Sequence, residues 1–206
     1  EAGAGTVAAY TDQAYGEAGA TIVPDAASAI AAGDIVFKIQ RPMTAEEGLD
    51  ELGMLRQGQT LMAPLGALTN RELVQALASR GVTSFALELI PRITRAQSMD
   101  ILSSQANLAG YKAVLLAANN YGRIFPQMMT PGGTLAPSRS FIMGVGVAGL
   151  QAIATARRLG SVVTATDVRP ATKEQVQSLG AKFVAVEDDE FKAAETAGGY
   201  AKQMSP

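Results

Sequence analysis

The segment from Ser140 to Asp167, SFIMGVGVAGLQAIATARRLGSVVTATD, constrains the fold of this chain more than any other. Phe141–Met143 reads as a short buried strand, and Gly144, Gly146 and Gly149 form the pattern GxGxxG. Leu150–Leu159 reads as a helix, and Val162–Thr166 as a second strand that ends in Asp167. A glycine triplet set between a strand and a helix, with an acid closing the next strand, describes a dinucleotide-binding βαβ unit.

Each part of that unit has a physical task. Gly144 permits the tight turn out of the strand, Gly146 lets the backbone approach a pyrophosphate, and Gly149 lets the helix pack closely on the sheet. Val145, Val147 and Ala148 supply the remaining backbone of the turn and of the helix N-terminus, whose free N–H groups and positive dipole end suit phosphates. Asp167 lies 18 residues after Gly149, where a carboxylate accepts hydrogen bonds from the adenosine ribose and repels a 2′-phosphate. The expected cofactor is therefore NAD(H). Val168 and Arg169 follow directly, and Arg169 is the counter-argument, because an arginine here can instead hold a 2′-phosphate.

Composition excludes several classes of function. A net charge of −2 offers no basic patch for nucleic acid. The apolar run Ala113–Ala118 is far shorter than the roughly 20 residues of a membrane span. The chain has neither Cys nor His, which removes thiolate metal sites, a histidine base and most zinc chemistry from this stretch, so no metal is expected. Glu187-Asp188-Asp189-Glu190 reads as a solvated turn. Glu1 is not an initiator methionine, and only 57 residues follow Gly149, fewer than two βαβαβ halves require. The chain is expected to be a piece of a longer protein, cut at both ends.

Before the fingerprint, strand-like and helix-like segments alternate. Asp34–Gln40, Thr60–Ala63 with Leu65, and Thr83–Leu89 read as strands. Asp25–Ala32, Ala45–Leu55 and Asn70–Ser79 read as helices, the last with an N-cap at Thr69-Asn70. Ala96–Asn119 carries the longest helical pattern, with two apolar stripes that predict burial on more than one side. Gln97, Asp100, Ser103 and Asn107 recur between those stripes and should stack as one polar row. Such a row either satisfies neighbouring backbone or lines a cleft between domains. The expected fold is α/β: two Rossmann-like parallel-sheet domains around a cleft, joined by a long helix. Residues 1–137 would form the first domain with its linker helix, and residues 138–206 the first half of the nucleotide domain.

The runs PRITRAQSMDILSSQANLAGYKAV, GVGVAGLQAIATARRLG, TATDVRPATKEQVQSLGAKF and AETAGGYAKQM resemble the NAD(H)-binding component of proton-translocating nicotinamide nucleotide transhydrogenases. That component shares a structural superfamily with alanine dehydrogenase. The resemblance implies that hydride passes from NADH held here to NADP⁺ on a separate NADP(H)-binding component, coupled to proton movement through a membrane proton-channel component. It also implies a homodimer, peripheral on the cytoplasmic side of the bacterial inner membrane. Arg92, Gln97, Asp100 and Ser103 fall on the family's polar motif as the catalytic candidates, reaching the nicotinamide, its carboxamide and the nearby ribose and phosphate. Tyr200 matches the tyrosine of a loop that closes over the nucleotide, and Gly198 and Gly199 give that loop its backbone freedom.

Two rival readings follow from the same residues. An alanine dehydrogenase needs an acid–base group beside the substrate carbonyl. The relatives place a histidine after the strand matching Thr60–Ala63, where this chain has Pro64. Lys38 occupies the place of their substrate-binding lysine, and Arg41 lies close by in FKIQRP. The other rival is a module that binds NAD(H) without chemistry, which fold by itself does not exclude.

Overall fold

A computed structural model describes residues 1–91, 93–186, 191 and 194. The chain divides into two compact units, Glu1–Ile101 and Leu102–Pro206.

The first unit contains α1 (Asp12–Glu17), α2 (Ala26–Ala32), β1 (Ile35–Phe37), α3 (Glu51–Met54), β2 (Thr60–Ala63), α4 (Arg71–Ser79) and β3 (Thr83–Ala86). Its three strands pair in parallel in the order β1-β2-β3. Leu61 and Ala63 of the central strand are fully buried and pack with Ile30, Val36, Leu55, Leu73 and Leu77. The helix starts follow their capping residues: the Asp25 side chain accepts from the Ser28 amide, and the Asn70 side chain from the Leu73 amide at 3.2 Å. Gln59 is buried at the entry to β2. Its Nε2 donates to the Ile30 and Gly33 carbonyls, both at 2.7 Å, and its Oε1 accepts from the Arg56 amide, so the polar group is satisfied. The expected helix Ala45–Leu55 is broken into a 3₁₀ turn, Ala45–Glu47, and α3. Gly48 stands between them at φ 113°, a conformation that ends a helix.

The second unit holds α5 (Ile101–Asn120, from Leu102 onward), a hairpin of β4 (Met128–Thr130) and β5 (Gly133–Leu135), then β6 (Arg139–Met143), α6 (Val147–Arg158), β7 (Val162–Thr166), α7 (Thr172–Ser178) and β8 (Lys182–Phe183). Strands β6, β7 and β8 pair in parallel in that order, with Phe141 opposite Thr164 and Thr164 opposite Lys182. Ile153 and Ala156 of α6, Val163 and Ala165 of β7, Val176 of α7 and Phe183 form its core. The fold is α/β with parallel sheets, as expected. The division falls at the start of α5, whereas the sequence reading sets the boundary near Pro137. The reason lies in packing, since Val114 of α5 belongs to the core of the second unit.

The long helical pattern requires two corrections. Thr94–Met99 is a 3₁₀ helix, and Asp100 leaves helical geometry at ψ 90°, so α5 begins only at Ile101. Gln97 and Asp100 therefore lie outside the helix that carries Ser103 and Asn107, and the four positions do not belong to one helical face. Nor is α5 buried on more than one side: among its described residues Gly110 and Val114 are buried, while Leu102, Leu108 and Leu116 are exposed.

Candidate functional site

The turn between β6 and α6 assembles from three glycines with different surroundings. Gly144 adopts φ 90°, which a side chain would strain, and its amide donates to the Thr166 carbonyl at 2.8 Å, tying the turn to β7. Gly146 is the N-cap of α6 with extended backbone, and no side chain caps the helix. A Cβ on Gly144 or Gly146 would meet nothing within 4 Å, so open space lies over the turn. A Cβ on Gly149 would run into the Gly144 carbonyl oxygen. The third glycine thus serves close packing of helix on turn, while the second leaves its backbone approachable.

Asp167 closes β7 beside this turn. Its Oδ2 accepts from the Val145 amide at 2.6 Å and from Arg169 Nη2 at 3.0 Å; its Oδ1 accepts from Arg169 Nε at 2.9 Å and the Arg169 amide at 2.8 Å. Arg169 Nη2 also donates to the Val145 carbonyl at 3.2 Å. Burial pushes the Asp167 carboxyl upward. The Arg169 guanidinium and the two amides outweigh burial and hold it below the usual carboxylate range, so the group is anionic at neutral pH.

Gly110 is a packing residue beside the turn that sequence reading overlooked. A Cβ there would collide with the backbone of Ala148, at its carbonyl oxygen and Cα, so α5 lies against the first turn of α6. The signal was present as a lone glycine inside a strong helical pattern, which costs about 1 kcal/mol against alanine and so asks for a packing reason. A groove of about 880 Å³ runs along β6 beside the small residues Ala106, Ala109 and Ala113 of α5 and reaches Gly144 and Gly146. Its lining takes in Gly144, Gly146, Val147, Ala148 and Gly149 as well as β6, so the groove opens onto the glycine turn, beside which Asp167 lies outside the lining.

Gln97 and Asp100 belong to the first unit and Ser103 to the second. Gln97 is exposed, and Asp100 and Ser103 are half-buried. Arg92, Glu187–Glu190, Gly198, Gly199 and Tyr200 lie outside the described residues. In the first unit, Lys38 is ion-paired with the buried Glu51, whose other oxygen accepts from the Met43 amide at 2.9 Å. Arg41 forks onto Glu47. That contact, followed by the Thr44 amide, draws the Glu47 carboxyl down to about 2. After β2, Pro64 opens a loop held by Glu88, which accepts from the Leu65 amide at 3.0 Å and the Ala67 amide at 2.9 Å. Burial raises the Glu88 carboxyl, but these backbone bonds together bring it below its ordinary value. Among the described residues no cluster of acidic side chains could hold a metal ion, and no helix is long and apolar enough to cross a membrane.

Comparison with known proteins places both units. Residues 1–109 match the family described as alanine dehydrogenase/PNT, N-terminal domain, and residues 113–203 match alanine dehydrogenase/PNT, C-terminal domain. The chain is 62% identical over 204 residues to an NAD(P) transhydrogenase alpha-subunit protein of Rhodospirillum rubrum, covering 99% of this chain and 53% of that protein. It superposes on the crystal structure of transhydrogenase from Sinorhizobium meliloti with a TM-score of 0.84 at 55% identity, covering 94% of this chain and 54% of that one. Alanine dehydrogenase of Mycobacterium tuberculosis (strain ATCC 25618 / H37Rv) is more distant, at 30% identity over 192 residues, covering 89% of this chain and 47% of that protein. The chain spans about half the length of the curated relatives it matches. With the glycine turn, the acid closing β7 and matches to both family domains, the chain belongs to the alanine dehydrogenase/PNT family.

Proposed function

We propose that this chain is the NAD(H)-binding portion of a proton-translocating NAD(P)⁺ transhydrogenase, delivering hydride from NADH to NADP⁺ held on a partner component. The observation that carries the reading is the turn Gly144–Gly149, open above Gly146 and closed beneath Gly149, with the anionic Asp167 beside it. These groups fit a dinucleotide: open space and uncapped helix amides for the pyrophosphate, a carboxylate for a ribose diol. The bound nicotinamide supplies the hydride, and the chain's residues hold, orient and shield it. The α6 N-terminus neutralises phosphate charge, and the turn brings backbone within reach of it. Asp167 accepts from ribose hydroxyls and repels a 2′-phosphate, which favours NAD(H) over NADP(H).

Arg92, Gln97, Asp100 and Ser103 serve the nicotinamide end in this reading, and Tyr200 covers the nucleotide. The resemblance to transhydrogenase α subunits supports these assignments, together with a homodimer bound peripherally to a membrane proton channel on the cytoplasmic side. The alanine dehydrogenase alternative finds no support in the first unit. Pro64, which exchanges no proton, stands in place of the histidine, and Lys38 is engaged by Glu51. Titration of the full-length protein by NADH fluorescence tests the binding claim. NADH should bind more tightly than NADPH, and Asp167→Asn should narrow that preference. Equal affinities in the unmodified protein, or a preference untouched by the substitution, would count against it.

A further inference from the structure

The Asp167 carboxylate is fully engaged. A carboxylate offers about four acceptor positions, and here the Val145 amide, the Arg169 amide, Arg169 Nε and Arg169 Nη2 fill them, at 2.6 to 3.0 Å. The carboxylate is shielded as well: its side chain retains 7% exposure, against 23% for that of Arg169. A ribose diol brings two further O–H donors, and two of the present ones must yield to them. The two amides belong to the main chain of the β6–α6 turn and of the β7–α7 connection. They set the carboxylate's orientation and cannot leave without moving the backbone. The two guanidinium bonds are the longer ones, at 2.9 and 3.0 Å, and they come from a side chain rather than from the main chain.

We propose that the Arg169 guanidinium occupies the ribose seat on Asp167 and is displaced by the nucleotide, making Arg169 a specificity-determining residue that sets how much each adenosine ribose hydroxyl contributes to binding. The inference rests on the reading of Asp167 as the ribose acceptor. It assigns Arg169 a role different from that of a 2′-phosphate anchor, because in the nucleotide-free chain the guanidinium already joins Asp167 to the Val145 carbonyl. While seated, Arg169 also keeps the carboxylate anionic. It is the charged side chain of the described residues that acts on Asp167, and the β6–α6 turn adds the Val145 amide.

Deletion of a cation near a pyrophosphate weakens any dinucleotide, so the affinity for NADH by itself does not isolate this effect. The ratio of affinities for NADH and for its analogue lacking the adenosine 2′-hydroxyl does, since both carry the same phosphates. In full-length protein that ratio should be small, because each bond gained at Asp167 replaces one to Arg169. In Arg169→Ala it should rise by about tenfold, the order expected of a hydrogen bond to a charged group. Arg169→Gln, which keeps a polar side chain without the charged fork, should also raise it. In the unmodified protein the Arg169 Nε resonance should shift on addition of NADH and less on addition of the deoxy analogue. A ratio that stays constant or falls in both variants, or a selective loss of NADPH binding, would overturn the proposal. Failure of the unmodified protein to bind NADH would overturn the nucleotide reading itself, and this inference with it.

Discussion

Gly110 of α5 and Ala148 of α6 meet backbone to backbone, with no room for a Cβ between them. Neither side of the contact is a flexible side chain, so an added methyl must displace a helix. Gly110→Ala is expected to lose about 1–3 kcal/mol through overpacking, although alanine is the better helix former. Gly122→Ala, whose Cβ would meet nothing within 4 Å, should stay within about 0.5 kcal/mol of the parent. Urea unfolding of the full-length protein reads both. Equal midpoints for the two variants would show that α5 does not depend on this contact.

The glycines of the turn should separate into one that serves binding and one that serves the fold. Gly146→Ala places its methyl in open space and should leave the unfolding midpoint nearly unchanged while weakening NADH binding about tenfold or more. Gly149→Ala drives its methyl into the Gly144 carbonyl and should lower stability first. Thermal unfolding and NADH titration of both proteins check the distinction. A Gly146→Ala protein that binds NADH normally would remove the turn from the site.

Lys38 is expected to be structural. Lys38→Met leaves the buried Glu51 without its cation, a loss of about 2–4 kcal/mol once the partial exposure of Lys38 is allowed for. The double variant Lys38→Met/Glu51→Leu should recover much of that stability. Urea unfolding of the single and double variants makes the comparison. Loss of hydride transfer at unchanged stability would instead place Lys38 beside a substrate.

Acid should destabilise the protein through its depressed carboxylates. Folding holds Glu88 and Asp167 below their ordinary values of 4.5 and 3.8, so the folded state releases protons that the unfolded chain still binds. Their contribution is complete above those ordinary values and is lost as pH falls through the folded ones; between about pH 5 and 7 neither adds a slope. The urea midpoint measured against pH should show this decline. Glu88→Gln should flatten it, because a neutral amide keeps one acceptor for the Leu65 and Ala67 amides and does not titrate.

Local chemistry decided which elements of this architecture could be read from the chain. Thr60–Ala63 and Val162–Thr166 appear at their expected bounds, because short apolar runs between turn residues have little alternative to a buried parallel strand. Asn70 capped its helix for a reason internal to four residues. The break at Asp100 was harder, since neither proline nor glycine interrupts the pattern there. The available signal was an aspartate directly before the apolar run at Ile101, the N-cap position of a helix. The β4–β5 hairpin also escaped, although Pro131-Gly132-Gly133 marks its turn. At the site, the glycine roles were legible because each is a property of backbone space. The engagement of Asp167 by Arg169 was not, because it depends on which way a long side chain turns.

Hydride transfer by the full-length protein is the most direct test of the transhydrogenase reading. NADH is offered with the NADP⁺-loaded partner component in one assay, and with pyruvate and ammonium in the other. Hydride should pass to the bound NADP⁺ and not to pyruvate, with the rate falling in Asp167→Asn. Turnover with pyruvate and ammonium, and none with the nucleotide, would contradict the account.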